Sequence, residues 1–114
     1  DPQYSVLEDH IQARIDYLKD ILMNKDNFII WGASTCGKIA YKRLKQNLCK
    51  LDFVGYVDKY KIGTVNGYEI FKPECIKNFK KKYIFISTDP GKEYAEKYLI
   101  SLRLEPIKDF VWML

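Results

Sequence analysis

Apolar residues recur along this 114-residue chain with two different periods, and the change of period divides it. From Tyr4 to Asn24, Leu7, Ile11, Ile15, Leu18 and Leu22 fall three or four apart, with Tyr4 beginning the stripe. Asp9, Arg14, Lys19 and Asp20 lie off it. The spacing predicts one amphipathic helix over this stretch. The chain therefore reads as an N-terminal helix, residues 1–26, ahead of a domain over 27–114. Three uses are open to the helix: packing on the domain, linking to a missing partner domain of the same chain, or pairing with a second copy in a homodimer.

From Asn27 the pattern becomes strand, helix, strand. Phe28-Ile29-Ile30-Trp31 is a short apolar run ending at Gly32, as in a strand buried on both faces. Cys36 to Asn47 carries Cys36, Ile39, Ala40 and Leu44 on one face, with Leu48 just beyond, and Lys38, Lys42, Arg43 and Lys45 largely on the other. Phe53-Val54-Gly55-Tyr56-Val57 is a second strand, ending at Asp58. A loop over Lys59–Val65 leads to the turn signal Asn66-Gly67 and an edge strand, Tyr68–Phe71. Pro73 starts a short helix to about Phe79, with Glu74 in its first turn. Tyr83–Ser87 is a buried strand, Lys92–Leu102 a helix burying Tyr94, Ala95, Tyr98, Leu99 and Leu102, and Phe110–Met113 a last strand. Alternating strands and helices with short connections predict an α/β, Rossmann-like three-layer fold. Its mainly parallel sheet of about five strands has the order 3-2-1-4-5, with helices on both faces.

Composition changes this picture little. With 47% hydrophobic and 30% charged residues the chain has neither a disordered nor a membrane profile. No apolar run approaches the ~20 residues that span a bilayer, so no membrane insertion is expected. The start lacks a signal peptide and opens on Asp-Pro rather than Met, which reads as a domain cut from a longer protein. Cys36, Cys49 and Cys75 are odd in number and contain no Cys-x-x-Cys pair, against a disulfide framework or a zinc site. A reducing, cytoplasmic location follows. The net charge of +4 is mild and densest at Lys77–Lys82, which reads either as a solvated helix end leading into a strand or as attraction for phosphorylated ligands or nucleic acid. Without an interleaved aromatic and basic signature, no nucleic-acid partner is expected.

The chemical signal is Gly32-Ala33-Ser34-Thr35-Cys36-Gly37, between the first strand and its helix. The dinucleotide fingerprint is Gly-x-Gly-x-x-Gly at this place, and Ser34 replaces its middle glycine. Gly32 permits the tight turn, and Gly37 lets the helix approach the sheet. The N–H groups opening the helix, with Ser34 and Thr35, can take a phosphate. Asp58, at the end of the second strand, can hydrogen-bond the ribose hydroxyls of a nucleotide. The competing reading is that the glycines only make the turn and Asp58 only caps its loop. Strand order places the ligand where the first and fourth strands diverge, so the Gly32–Gly37 turn should face Ser87-Thr88-Asp89. Thr88 either contacts ribose or phosphate or, with Asp89, caps the Lys92 helix.

Ile-Ile-Trp-Gly-Ala-Ser-x-x-Gly, then Phe-Val-Gly-Tyr-Val-Asp, Gly63, Asn66-Gly67-Tyr68-Glu69-Ile70, Pro73-Glu74 and Tyr-Ile-Phe-Ile-Ser follow in an order that resembles a known family. These are the Rossmann-like nucleotide-binding domains that lead bacterial sugar acyltransferases of the left-handed-helix type. Similar domains precede membrane-linked nucleotide-sugar 4,6-dehydratases and accompany some sugar methyltransferases and glycosyltransferases. The resemblance covers about Asn27 to Leu114. It implies a module that binds a nucleotide-containing small molecule within a protein that builds surface glycans. By position, Gly32, Ala33, Ser34 and Gly37 would hold phosphate and Asp58 the ribose. The expected ligands are a nucleotide-sugar or NAD, with acetyl-CoA and S-adenosylmethionine as further candidates.

A catalytic set is not legible. The acyltransferases of this family use a histidine beyond the leading domain, and the single histidine here, His10, matches no such position. Tyr41/Lys45 and Tyr68/Lys72 both fit Tyr-x-x-x-Lys but lie where short-chain dehydrogenases do not place that pair. Cys36 is read as half-buried packing rather than a lowered-pKa thiol. Two functions stand: a binding module of a larger sugar-modifying protein, or the cofactor half of a sugar dehydrogenase, epimerase or methyltransferase.

Overall fold

The structure, a computed structural model, describes residues 2–113, with side chains from 6 to 113. In chain order its elements are α1 (Pro2–Tyr17), α2 (Lys19–Leu22), β1 (Asn27–Trp31), α3 (Thr35–Asn47), β2 (Asp52–Val57), β3 (Thr64–Val65) and β4 (Tyr68–Phe71). A 3₁₀ helix (Pro73–Asn78), β5 (Lys82–Ile86), α4 (Lys92–Ser101) and β6 (Phe110–Trp112) complete them. The sheet runs β3-β4-β2-β1-β5-β6, and every neighbouring pair is parallel except β3 with β4. This is an α/β fold on a mixed, mostly parallel sheet.

The sheet has six strands where the sequence predicts five. The extra one, β3, forms because Asn66 and Gly67 both adopt positive φ, 52° and 80°. That two-residue turn matches the twist of a hairpin and folds Thr64-Val65 back onto Tyr68-Glu69. Tyr68–Phe71 is thus not the edge; it has β2 on its other flank.

Alternation along the central strands divides the core. Phe28 and Ile30 of β1, with Tyr83 and Phe85 of β5, point to the face covered by α1 and α3, whose Ile11, Ile15, Ala40 and Leu44 complete the layer. Ile29 and Trp31, with Ile84 and Ile86, point to the other, covered by Ile76 of the 3₁₀ helix and by Ala95 and Leu99 of α4. Both faces of β1 are therefore dry, which is why the run is apolar throughout.

The N-terminal stripe buries Ile11, Ile15, Leu18 and Leu22 against the domain, with Leu7 partly buried; Tyr4 lies outside the described side chains. Each such side chain contributes about 1.5–3 kcal/mol. The Arg43–Glu8 pair across α1 and α3, 3.1 Å long and partly exposed, adds about 1 kcal/mol at most. Apolar burial therefore holds the helix down, the first of its three expected uses. The expected single helix is divided at Leu18, whose N–H is shared between the Arg14 and Ile15 carbonyls at 3.0 and 3.2 Å, a local tightening of the turn. Arg14 Nε also donates to the Trp112 carbonyl on β6 at 3.0 Å. The expected helix at Pro73 is of the 3₁₀ type, with Cys75 donating to Lys72 and Phe79 to Ile76.

Candidate functional site

The three central strands end side by side. Gly32 N–H donates to the Val57 carbonyl and Ser87 N–H to the Trp31 carbonyl, each at 2.8 Å. Gly32 has φ +123°, and a Cβ there would lie 3.1 Å from the Ser87 carbonyl carbon and oxygen. The glycine turn and the Ser87-Thr88 segment thus face each other. Gly37 sits under the turn, where a Cβ would come within 1.9 Å of the Gly32 carbonyl oxygen. Only hydrogen fits there, which lets α3 start against the end of β1.

A cleft of about 350 Å³ opens above this junction. Ser34 from the glycine turn, Asp58, Lys59, Tyr60 and Lys61 from the loop after β2, and Thr88, Pro90, Gly91 and Tyr94 from the β5–α4 connection line it, with Trp31 at its floor. Ser34 and Gly91 are the residues that precede α3 and α4, and neither helix carries a side-chain cap. The first-turn N–H groups of α3, and those of Glu93 and Tyr94 in α4, therefore keep their donor capacity at this end of the sheet. Thr88 and Asp89 do not supply a side-chain cap; Asp89 accepts from Lys92 N–H through its backbone carbonyl, and the Thr88 methyl faces Gly91.

Asp58 organises the loop. Its Oδ1 accepts the N–H groups of Tyr60 and Lys61, both at 2.9 Å, and its Oδ2 accepts Ala33 N–H at 3.1 Å. Lys61 Nζ donates in turn to the Ala33 carbonyl at 3.4 Å. A carboxylate offers about four acceptor directions, so Asp58 keeps roughly one, on Oδ2, for a ligand. Burial pushes the Asp58 carboxyl up, but hydrogen bonds from Lys61, Tyr60 and Ala33 N–H, with the Lys61 charge, outweigh it and hold the group below its ordinary value. At Asp109 burial likewise pushes up, and Glu105 N–H and the Lys25 ammonium, 2.9 Å away, prevail. A depressed folded value means that the unfolded chain binds protons first on acidification. Stability is therefore expected to be level between about pH 5 and 7 and to fall below about pH 4, as the pH drops through the folded values. Urea unfolding midpoints at pH 7, 5, 4 and 3 check this, and Asp58→Asn should flatten the acid limb. A midpoint unchanged at pH 3 would contradict it.

Of the residues expected at the site, Ser34, Asp58 and Thr88 line the cleft. Gly32 and Gly37 shape the turn beneath it, Ala33 has its side chain in the core and its N–H on Asp58, and Ser87 is buried with its Oγ unpartnered. Thr35 is exposed at the start of α3. Tyr94 was expected to be buried and is not: it is 40% exposed, because it lies in the first turn of α4, at the cleft end. Tyr60, 80% exposed, carried no sequence signal of its own.

Residues 24–107 match the family model described as C2185-like, N-terminal. The chain belongs to this family. No curated protein matches it. The match in this C2185-like domain takes in the glycine turn, the Asp58 loop and the first turn of α4, and so every residue of the cleft wall. Other candidate chemistry falls away from that cleft. Lys82, which ends the basic run, opens β5 at the opposite end of the sheet and donates its Nζ to the Phe79 carbonyl at 2.8 Å. His10 is exposed on α1. Tyr41 and Tyr68, the two tyrosines of the Tyr-x-x-x-Lys matches, meet each other at 3.3 Å. The Tyr68 hydrogen bond, with burial, pushes the Tyr41 hydroxyl up to about 12, the wrong direction for a proton relay at neutral pH. Among the described residues, no group of three or more His, Cys, Asp or Glu is placed to hold a metal ion, and no helix is long and apolar enough to cross a membrane.

Proposed function

We propose that this domain is a Rossmann-like module that binds a nucleotide or nucleotide-sugar within a larger sugar-modifying protein. One observation carries the reading: a single cleft at the carboxyl ends of β1, β2 and β5 gathers two uncapped helix starts, two lysines, one carboxylate and aromatic rings. Uncapped helix starts and lysines suit phosphate, a carboxylate with one acceptor direction left suits a ribose hydroxyl, and aromatic walls suit a base. Apart from β3, the strands run β4-β2-β1-β5-β6, which supports a doubly wound sheet with its ligand at the switch point between β1 and β5. The module would supply affinity and orientation, while a partner domain of the same chain supplies the chemistry, in the cytoplasm.

Thermal unfolding in the presence of UDP-sugars, NAD, NADP, acetyl-CoA and S-adenosylmethionine tests the reading. A ligand at one hundred times its Kd stabilises the folded state by about 2.7 kcal/mol, a shift of several degrees. UDP-sugars or NAD should give it. If no member of the panel moves the midpoint, the domain is not a nucleotide-binding module.

A further inference from the structure

Tyr94 stands where a helix would ordinarily bury an aromatic ring, and its surroundings give it a defined orientation. The Tyr98 ring lies nearly parallel to it, 6.3 Å away with an interplanar angle of 18°. Trp31 meets it edge-on, at 6.2 Å and 68°. A tyrosine braced in this way presents a flat face at small entropic cost. What covers that face is not another apolar group. Lys59 Nζ sits 3.9 Å from the Tyr94 ring centroid and 5.4 Å from that of Tyr60, so the ammonium is flanked by two rings at the mouth of the cleft.

We infer that Tyr94 is the stacking platform for the ligand's base, and that Lys59 holds that face until the base displaces it. The inference rests on the nucleotide-binding reading and adds to it the residue that distinguishes a nucleotide from a bare phosphate. Relative strengths decide the exchange. An exposed cation–π contact is worth about two- to fivefold in an equilibrium constant. Stacking of a base on an aromatic side chain is worth from about fivefold to more than a hundredfold. The base therefore wins the ring, and the released ammonium keeps its charge for the phosphates, on the same cleft wall as Lys61. Lys59 then acts twice, first as cover and afterwards as phosphate partner.

Titration calorimetry with UDP, ADP and inorganic pyrophosphate separates the parts. The wild type should bind at least one of the nucleoside diphosphates about tenfold or more tightly than pyrophosphate. Tyr94→Ala should bring that ratio close to one while leaving pyrophosphate affinity within a few-fold, and Tyr94→Phe should keep the ratio. Lys59→Ala should weaken pyrophosphate and raise the ratio, because the platform is uncovered. Equal wild-type affinities, or a ratio unmoved by Tyr94→Ala, would overturn the stacking role and leave nucleotide binding standing. Failure of all three probes to bind the wild type would overturn the nucleotide-binding reading itself, and the platform with it.

Discussion

Replacing Gly37 by valine should destabilise the domain by about 3 kcal/mol or more and abolish ligand binding. The expected Cβ position is 1.9 Å from the Gly32 carbonyl oxygen, a backbone atom that no rotamer change can move. Either α3 retreats from β1 or the turn opens, and both displace Ser34 and the N–H groups that begin α3. Gly32 has little room to yield toward β5, because a Cβ built on it would lie only 3.1 Å from the Ser87 carbonyl. Urea unfolding gives the stability, and calorimetry on the fraction that remains folded gives binding. A Gly37→Val protein with the wild-type midpoint would mean that the close approach of α3 is not required.

Asp58→Ala should cost about 1–3 kcal/mol, since three backbone N–H groups lose a charged acceptor in one step. The loss is uneven. Tyr60 and Lys61 are exposed and their N–H groups can turn to water, whereas Ala33 N–H is in the turn between β1 and α3. The loop would separate from the glycine turn, and Lys59 and Lys61 would lose their fixed place on the cleft wall. Trypsin should then cut after Lys59 or Lys61 faster than in the wild type, and nucleotide affinity should fall about tenfold or more. Unchanged proteolysis at both lysines would show that Asp58 does not hold the loop. Asp58→Asn, which keeps one carbonyl acceptor, should lie between the two.

These two residues also show how far the chain can be read without its structure. Gly37 was legible because a close helix approach has a residue signature, a glycine in the first turn of the helix after a buried strand. The strand positions were legible for the same kind of reason, since a run buried on both faces leaves no polar residue to blur its period. Asp58 was legible as a position, but its partners were not. Its bonds to Ala33, Tyr60 and Lys61 depend on the path of a loop that no periodicity governs. Tyr94 misled because periodicity assigns a face along a whole helix, whereas the first turn of α4 projects past the sheet. An aromatic in the first turn of the helix after β5 was the signal available for it. The hairpin strand β3 was overlooked because two residues are too few to show alternation, although Asn66-Gly67 marked its turn.

The shortness of the outermost strands has its own consequence for how molecules of this domain meet one another. A sheet edge with free backbone groups recruits further strands, and long flat edges lead to aggregation. Here one margin is β3, two residues long and ended by a tight turn. The other is β6, three residues long, with the Trp112 carbonyl already occupied by Arg14. Neither offers a template of useful length. Self-association through added strands is disfavoured at both margins, and contacts with other chains are left to the helical faces and the rim of the cleft.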